Sequence, residues 1–507
     1  MWKWKRKGKQ KSSKQQPSNQ QSTKQSDTIP KFIQVMSNSE DFVTYTLSGR
    51  TKCTISYIKT MCDSKILNRS VLTTLNDNHL HTLHDMQEKI PVEDIQITKD
   101  LDVIKEKVMV GYIMLQVRDA KEEVLLIPAV SLEAREVSVP EVEFSVVGPK
   151  EAFVETLNTN INLIRKRLPL PQLNIKEMNI GKVTKTRVAI VYIDGIANQD
   201  NVDTVTQRLE DIEIDQVTDS SFITQVIADN SNSPFPQLLD TERPDRVTSN
   251  LIEGKVAILV DGSPHALTCP TTVVEFFGAS DDYFLPWHLA TAFRLIRLFA
   301  VIFSVLSTPL YVAVLTYHHE MIPAELMATI VSSRSDIPFP PILEVIVLEL
   351  TIELLREAGA RLPMKIGQTI GIVGGIVIGT AAVDAGLTSN VLLIIVALSA
   401  LASFTTPVYQ IGNTIRLIRF PFIIGAQLWG LIGISMCMVF YIGHLIKLQS
   451  IGRPFFEPLY PLRLKDLKDS FIRLPFNKQT ERPVLMRTGD PQRMNSSRVN
   501  AKRDIDE

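Results

Sequence analysis

Acidic side chains set inside a lipid-length apolar region constrain this chain more than any other feature. Residues 338–363 read PFPPILEVIVLELTIELLREAGARLP, with Glu344, Glu349 and Glu353 standing among Ile, Val and Leu. A charge at membrane depth costs roughly 3 kcal/mol or more, so acids persist there where they face a bundle interior, a partner charge or water. Pro338, Pro340 and Pro341 break the chain before this helix, and Pro363 breaks it after. At about 100° per residue, Glu349, Glu353, Arg356 and Glu357 share an arc of about 100°, with Glu344 nearly opposite. One reading is an interfacial helix whose acids are solvated among headgroups. The other, favoured here, is a helix that lines a cation path or packs its acids against Arg356 and Arg361 in a bundle.

The surroundings of that helix are apolar on the scale of a bilayer. Residues 298–317 follow Arg294 and Arg297 and can cross a core of about 30 Å, with the arginines marking a cytoplasmic start. Further crossings are expected at 366–383, 391–408 and, with tilt, 420–446. Within 366–383, Gly367, Gly371, Gly375 and Gly379 form a four-spaced stripe that lets another helix approach closely, in this chain or in another copy. Gln368 and Asp384, near its ends, are candidate pore-mouth groups or merely interfacial. Loop charges conflict. If the Glu helix spans, Arg356, Arg361, Lys365, Arg416 and Arg419 face the cytoplasm but the basic C-terminal tail lies outside; if it is re-entrant, the reverse holds. An even number of crossings with a re-entrant element, keeping both termini inside, is the preferred solution.

The rest of the 507 residues divides by composition, because a net charge of −1 hides strong segregation. Residues 1–40 are expected to form a disordered basic Gln/Ser-rich tail that buries too little to fold, either solubilising or drawn to anionic lipid. Residues 41–140 and 141–290 read as two soluble α/β subdomains. In the first, 108–127 forms two β-runs split by a charged turn; in the second, TRVAIVYIDG and KVAILVDG are buried strands alternating with helices. Residues 291–450 form an α-helical multi-pass membrane domain of four or five transmembrane or re-entrant helices, and 451–507 a basic polar tail. Residues 231–246, SNSPFPQLLDTERPDR, read as an exposed loop in preference to a contact surface. Cys53, Cys62, Cys269 and Cys437 are scattered, and His79, His81 and His84 match no zinc pattern. No catalytic motif is present. The expectation is a non-enzyme without metal, cofactor or nucleic-acid partner.

Several strings carry a resemblance. TYHHEMIPAELM, SRSDIPFPPILEVIVLELTIELLREAGARLP, GQTIGIVGGIVIGTAAVDAG and SFTTPVYQIGNTIRLIRF, with EVEFSVVGPKEAFVETLNTNINLIRKRL upstream, resemble the A subunit of GerA-type spore germination receptors. The resemblance covers roughly 41–461. It departs at Val147, where the family places an Arg before Gly148 and Pro149. It implies a multi-pass protein of the spore inner membrane with a cytoplasmic N-terminal region, working with a transporter-like B subunit and a lipoprotein C subunit. It further implies self-association into a ring around a nutrient-gated path for monovalent cations, for which Glu344, Glu349 and Glu353 are the candidate lining acids. A paralogue encoded in the SpoVA operon shares these blocks, and a secondary transporter is the other alternative.

Overall fold

The computed structural model describes residues 28–48, 52–77, 80, 82–117, 123–130, 140, 143, 147–362, 375–377, 379–463, 466–467 and 470–494. Its N-terminal region is α/β and contains two five-stranded sheets. β1 (Phe42–Ser48), β2 (Lys52–Ile58), β3 (Gln96–Thr98), β4 (Tyr112–Val117) and β5 (Val124–Pro128) lie in the order β1-β2-β4-β5-β3. β6 (Leu173–Ile180), β7 (Thr186–Ile193), β8 (Leu239–Thr241), β9 (Val256–Val260) and β10 (Ala266–Cys269) follow as β6-β7-β9-β10-β8. The second order repeats the first, five strands later, and every pairing in both is antiparallel.

Helices cover both faces of each sheet. On the first, α1 (Ile29–Met36) and α4 (Leu101–Met109) pack with Met114, Val124 and Leu126, while α2 (Thr73–Asp77) and α3 (Leu83–Lys89) lie on the side of Ile113, Leu115 and Leu125. Adjacent strand residues thus enter opposite cores, as the two-residue pleat requires. On the second, α5 (Leu157–Arg167) and α8 (Pro244–Ile252) pack with Ala189, Val191 and Leu259; α6 (Gln199–Glu210) and α7 (Ser220–Ile227) pack with Val188, Ile190 and Ile258. A strand buried on both faces has no polar side, so β9 is an unbroken VAILV.

The helical region comprises α9 (Trp287–Tyr317), α10 (Ala324–Arg334), α11 (Pro341–Arg361), α12 (Gly375–Asp384), α13 (Asn390–Ser403) and α14 (Tyr409–Lys447). Of these, α9 and α14 are long and apolar enough to cross a membrane. α9 starts at the second sheet unit, where Arg294 and Arg297 both reach Asp282, at 3.0 and 3.2 Å.

One expected crossing is overturned in form. The apolar run at 420–446 is not a single tilted rod, because Gly430, at φ +61°, turns α14 back on itself. Sixteen residues of straight helix would extend about 24 Å. Instead, Cys437 Sγ lies 3.6 Å from the Pro421 carbonyl, and the Phe422 and Tyr441 rings stack at 5.7 Å. Gly425 and Gly433 face each other so closely that a Cβ on Gly433 would strike the Gly425 carbonyl. The end of α9 closes this turn. Tyr317 donates to the carbonyls of Gln427 (2.8 Å) and Leu428 (3.2 Å), and the Leu431 N–H points at His318 Nε2 (3.4 Å), meeting backbone groups that the break releases.

Three further segments differ from the sequence reading. Residues 29–36, assigned from composition to the disordered tail, form α1, whose Ile29, Phe32 and Met36 are buried against the first sheet because they stand on one face of the helix. Residues 231–246 meet the base of the α14 hairpin: Ser233 Oγ lies 2.9 Å from His444 Nε2, Thr414 donates to the Pro234 carbonyl (2.5 Å), and Gln410 donates to Asp240 (3.2 Å). Where a polar tail is expected, the described residues between 449 and 494 form a strap across the second sheet unit. Arginine side chains tie it down by donating to carbonyls, Arg473 to Leu285 (2.5 Å) and Arg482 to Ile252 (2.8 Å), and Gly489 N–H bonds to the Ile196 carbonyl (3.1 Å). Composition shows the charge of such a segment but not the carbonyls waiting for it.

Candidate functional site

The acids of α11 form a ladder through the helical bundle, and each rung ends on an arginine from another helix or from an adjacent turn. Pro341 opens α11 at its first turn, where a missing N–H costs nothing. Glu344, at the end remote from the sheets, accepts from Arg334 of α10 at 2.8 Å and from the Ser389 N–H at 3.3 Å; Ser389 Oγ lies 3.2 Å from the Tyr311 hydroxyl of α9. Glu349, midway, pairs with Arg419 of α14, whose other terminal nitrogen donates to Ser304 Oγ of α9 at 3.0 Å. Glu353, nearest the sheets, pairs with Arg356 at 2.8 Å and with Arg416 of α14 at 3.5 Å. Arg356 also stands over the Phe404 ring, 4.7 Å from its centroid.

Burial grades the ladder. Glu344 and Glu349 are 1% and 2% exposed, so both face inward although they stand about 140° apart. Helices on both flanks explain it: α10 and α13 enclose the Glu344 side, and α9 and α14 the Glu349 side. The outward stripe of α11 is instead Leu343, Val347, Leu350 and Leu354, all apolar and exposed. Among the bundle partners considered from sequence, Arg356 joins the ladder. Arg361 pairs with Glu357 in the open.

Sequence reading missed Arg334, Arg416 and Arg419 as the partners. It assigns the latter two to a basic loop, whereas TIRLIRF lies in the first arm of α14, with Arg419 2% exposed. The available signal was two arginines three residues apart in an otherwise apolar helix, which places both on one face.

The other candidates scatter. Pro363, Gly367, Gln368 and Gly371 lie outside the described residues. Gly379 is buried against Leu393 of α13, at 3.7 Å from where a Cβ would stand; Gly375 has open space around it. Asp384 is exposed at the end of α12. Pro338 and Pro340 precede α11 as helix breaks. No cluster of three or more His, Cys, Asp or Glu suited to a metal occurs among the described residues.

A second polar group links the ladder's neighbourhood to the sheets. Asp240, which receives Gln410 of α14, also sits 3.2 Å from His265 Nδ1, and Glu242 lies 3.7 Å from Nε2. The Asp240 carboxylate facing Nδ1 holds the His265 imidazole above its ordinary pKa, against the opposing effect of burial.

The family model described as Bacillus/Clostridium GerA spore germination protein matches residues 30–485. Spore germination protein GerQA of Bacillus cereus is 48% identical over 486 residues, covering 95% of this chain and 97% of that one. Spore germination protein GerIA of the same organism is 46% identical, covering 91% of this chain and 69% of that one. The crystal structure of the N-terminal domain of the A subunit of the Bacillus megaterium spore germinant receptor GerK3 covers 47% of this chain and 91% of that one. Its TM-score is 0.36 at 29% identity.

Proposed function

This chain belongs to the GerA family of spore germination receptor A subunits, and we propose that it forms, with copies of itself, a gated path for monovalent cations in the spore inner membrane. The transporter-like B subunit and the lipoprotein C subunit are its partners in this reading, and its sheets face the cytoplasm.

The hairpin supports a multi-pass arrangement. α9 leads away from the sheets and α11 returns, since Glu353 meets Arg416 near the sheet end. The arms of α14, residues 409–429 and 431–447, lead out and back, each long enough for about 25–31 Å. With that extra pass a spanning Glu helix no longer strands the basic C-terminal segment outside. Arg356, Arg361, Arg416 and the strap all fall on the sheet side, as the positive-inside rule asks.

The observation that carries the function is the acid ladder itself. Carboxylates inside an apolar bundle attract cations, and here each is held by a guanidinium, the arrangement of a closed path. Nutrient capture elsewhere in the receptor would favour a state in which these pairs part, a population shift set by differential affinity for two states. Glu353, half-buried and served by two arginines, is the acid most tolerant of substitution. Spores carrying Glu353→Gln are expected to release monovalent cations severalfold more slowly on nutrient exposure, with the protein at normal abundance. Release at the wild-type rate removes this acid from the path. Saturable coupled uptake by the chain alone in liposomes would favour a carrier instead.

A further inference from the structure

α9 runs from the second sheet unit through the ladder to the hairpin turn. Its Ser304 receives Arg419, its Tyr311 hydroxyl lies 3.2 Å from Ser389 Oγ beside Glu344, and its Tyr317 closes the turn at Gly430. A shift of this one helix therefore reaches two rungs and the hairpin together. The start of α9 is gripped by the strap. Arg473, 2% exposed, donates to the carbonyls of Tyr283 (3.1 Å) and Leu285 (2.5 Å), just ahead of Pro286 and the first turn of α9. The Tyr283 ring carries Arg473 at 5.2 Å and Arg294 of α9 at 5.6 Å from its centroid, contacts favoured by the charge distribution of the ring. Two residues before Arg473, Phe471 lines an apolar groove of about 430 Å³ between α9 and the α14 hairpin.

The strap is held down in two ways. Its beginning belongs to the folded core, with Ile451 packed among the residues of β7 and β9 and the Phe455 ring 5.9 Å from that of Phe276. Residues 470–494 instead arch over a cavity of about 970 Å³ whose walls include Arg246, Glu253, Lys255 and Glu457. Their buried side chains are Arg473, Gln479 and Arg482 against only Leu485 and Met486, so polar contacts hold this part more than apolar packing does. A segment with few buried apolar contacts is among the first to open.

We propose that residues 470–494 are a brake on the path: clamped, they hold α9 where the ladder's pairs close, and lifted, they let α9 move and the pairs part. This rests on the cation-path reading given above. The clamp belongs to the paired state, so losing it weakens that state relative to one with the strap raised, and the population shifts. Arg473 is a positioning residue that acts through α9.

The test measures monovalent cation release from spores given no nutrient. Arg473→Gln is expected to leak severalfold faster than wild type with the protein at normal abundance, an outcome that a merely structural role, which lowers abundance and release together, does not produce. Arg473→Lys keeps the charge but not the fork that grips two carbonyls, and should fall between. Arg482→Gln, which frees the strap at the Ile252 carbonyl, should leak in the same direction. Adding Glu353→Gln to Arg473→Gln should slow the leak, since the ions then pass the ladder. Strap variants that accumulate but release cations only with nutrient, at the wild-type threshold, overturn the brake and leave the path standing. Failure of all three to accumulate overturns it in favour of a purely structural clamp. A leak that Glu353→Gln does not slow, where it does slow nutrient-driven release in spores with an intact strap, also overturns the brake. If Glu353→Gln slows neither, the cation-path reading fails and takes the brake with it.

Discussion

Two buried arginine–carboxylate pairs hold this molecule together, one in each half, and they are built differently. Arg165 of α5 joins the two sheet units by gripping Asp41, and both side chains are fully buried. Asp41 accepts twice from Arg165, at 2.5 Å each, and also from Ser39 (2.6 Å) and Thr60 (3.1 Å); Arg165 donates further to Ser39 and to the Leu173 carbonyl. In the bundle, Glu349 receives Arg419, which donates once more to Ser304, while Glu349 Oε1 and Arg419 Nε have no hydrogen-bond partner. A buried pair offsets its desolvation cost only when the remaining lone pairs and protons are also satisfied. The first pair meets that condition at both carboxylate oxygens, leaves Arg165 Nη1 as its one atom without a partner, and reads as a fixed joint. The second is half satisfied, and a half-satisfied pair is the kind that a modest shift in helix packing can part.

Breaking either pair from one side gives the largest effects. Asp41→Ala and Glu349→Ala each strand a buried guanidinium and should cost about 3–5 kcal/mol in denaturant unfolding of the full chain in detergent. The comparison sharpens with double replacements. Glu349→Leu with Arg419→Met should return to about the wild-type stability or above it, since apolar packing replaces a poorly satisfied pair. Asp41→Leu with Arg165→Leu should stay well below it, because Ser39 and the Leu173 carbonyl lose their partners in a buried place. Equal recovery in both would show that the two pairs are energetically alike.

The same contrast explains what the sequence revealed. The β4–β5 hairpin and the apolar strands β7 and β9 were legible because their patterns are local: runs of a few residues bounded by turns. The Glu helix was legible because charge among Leu and Ile is conspicuous at any range. Its partners were not, since Arg419 is 70 residues from Glu349 along the chain and only the fold of α14 brings them together. That fold depends on Gly430, and a glycine in an apolar run reads equally as a tolerated helix residue; the nearby Gly425 and Gly433 supplied the missing hint, as small residues at a close backbone crossing. The strap escaped notice because its anchors are arginines bonded to backbone carbonyls, which leave no complementary pattern in sequence.

A smaller effect should come from the contact between the halves. Asp240 raises the His265 pKa in the folded chain, so the His265 contribution is fully present below the unfolded value of about 6.5 and is lost as pH rises through the higher folded value. Because Asp240 also receives Gln410, loosening there reaches the base of the hairpin. Thermal unfolding should therefore show wild type losing more stability between pH 6 and pH 8 than His265→Phe. An equal loss in the variant assigns the slope to other groups.

The smallest effect is expected on the same helix as the largest. Glu357 and Arg361 pair in the open at the sheet end of α11, with side chains 64% and 78% exposed. Such i,i+4 pairs contribute about 0.3–0.5 kcal/mol and are screened by salt. Glu357→Gln should thus leave stability and cation release near wild type, eight residues from a substitution that costs several kcal/mol. If it slowed release as much as Glu353→Gln, the acids of α11 would be acting through the total charge of the helix, and neither burial nor the identity of the arginine partner would distinguish one rung from another.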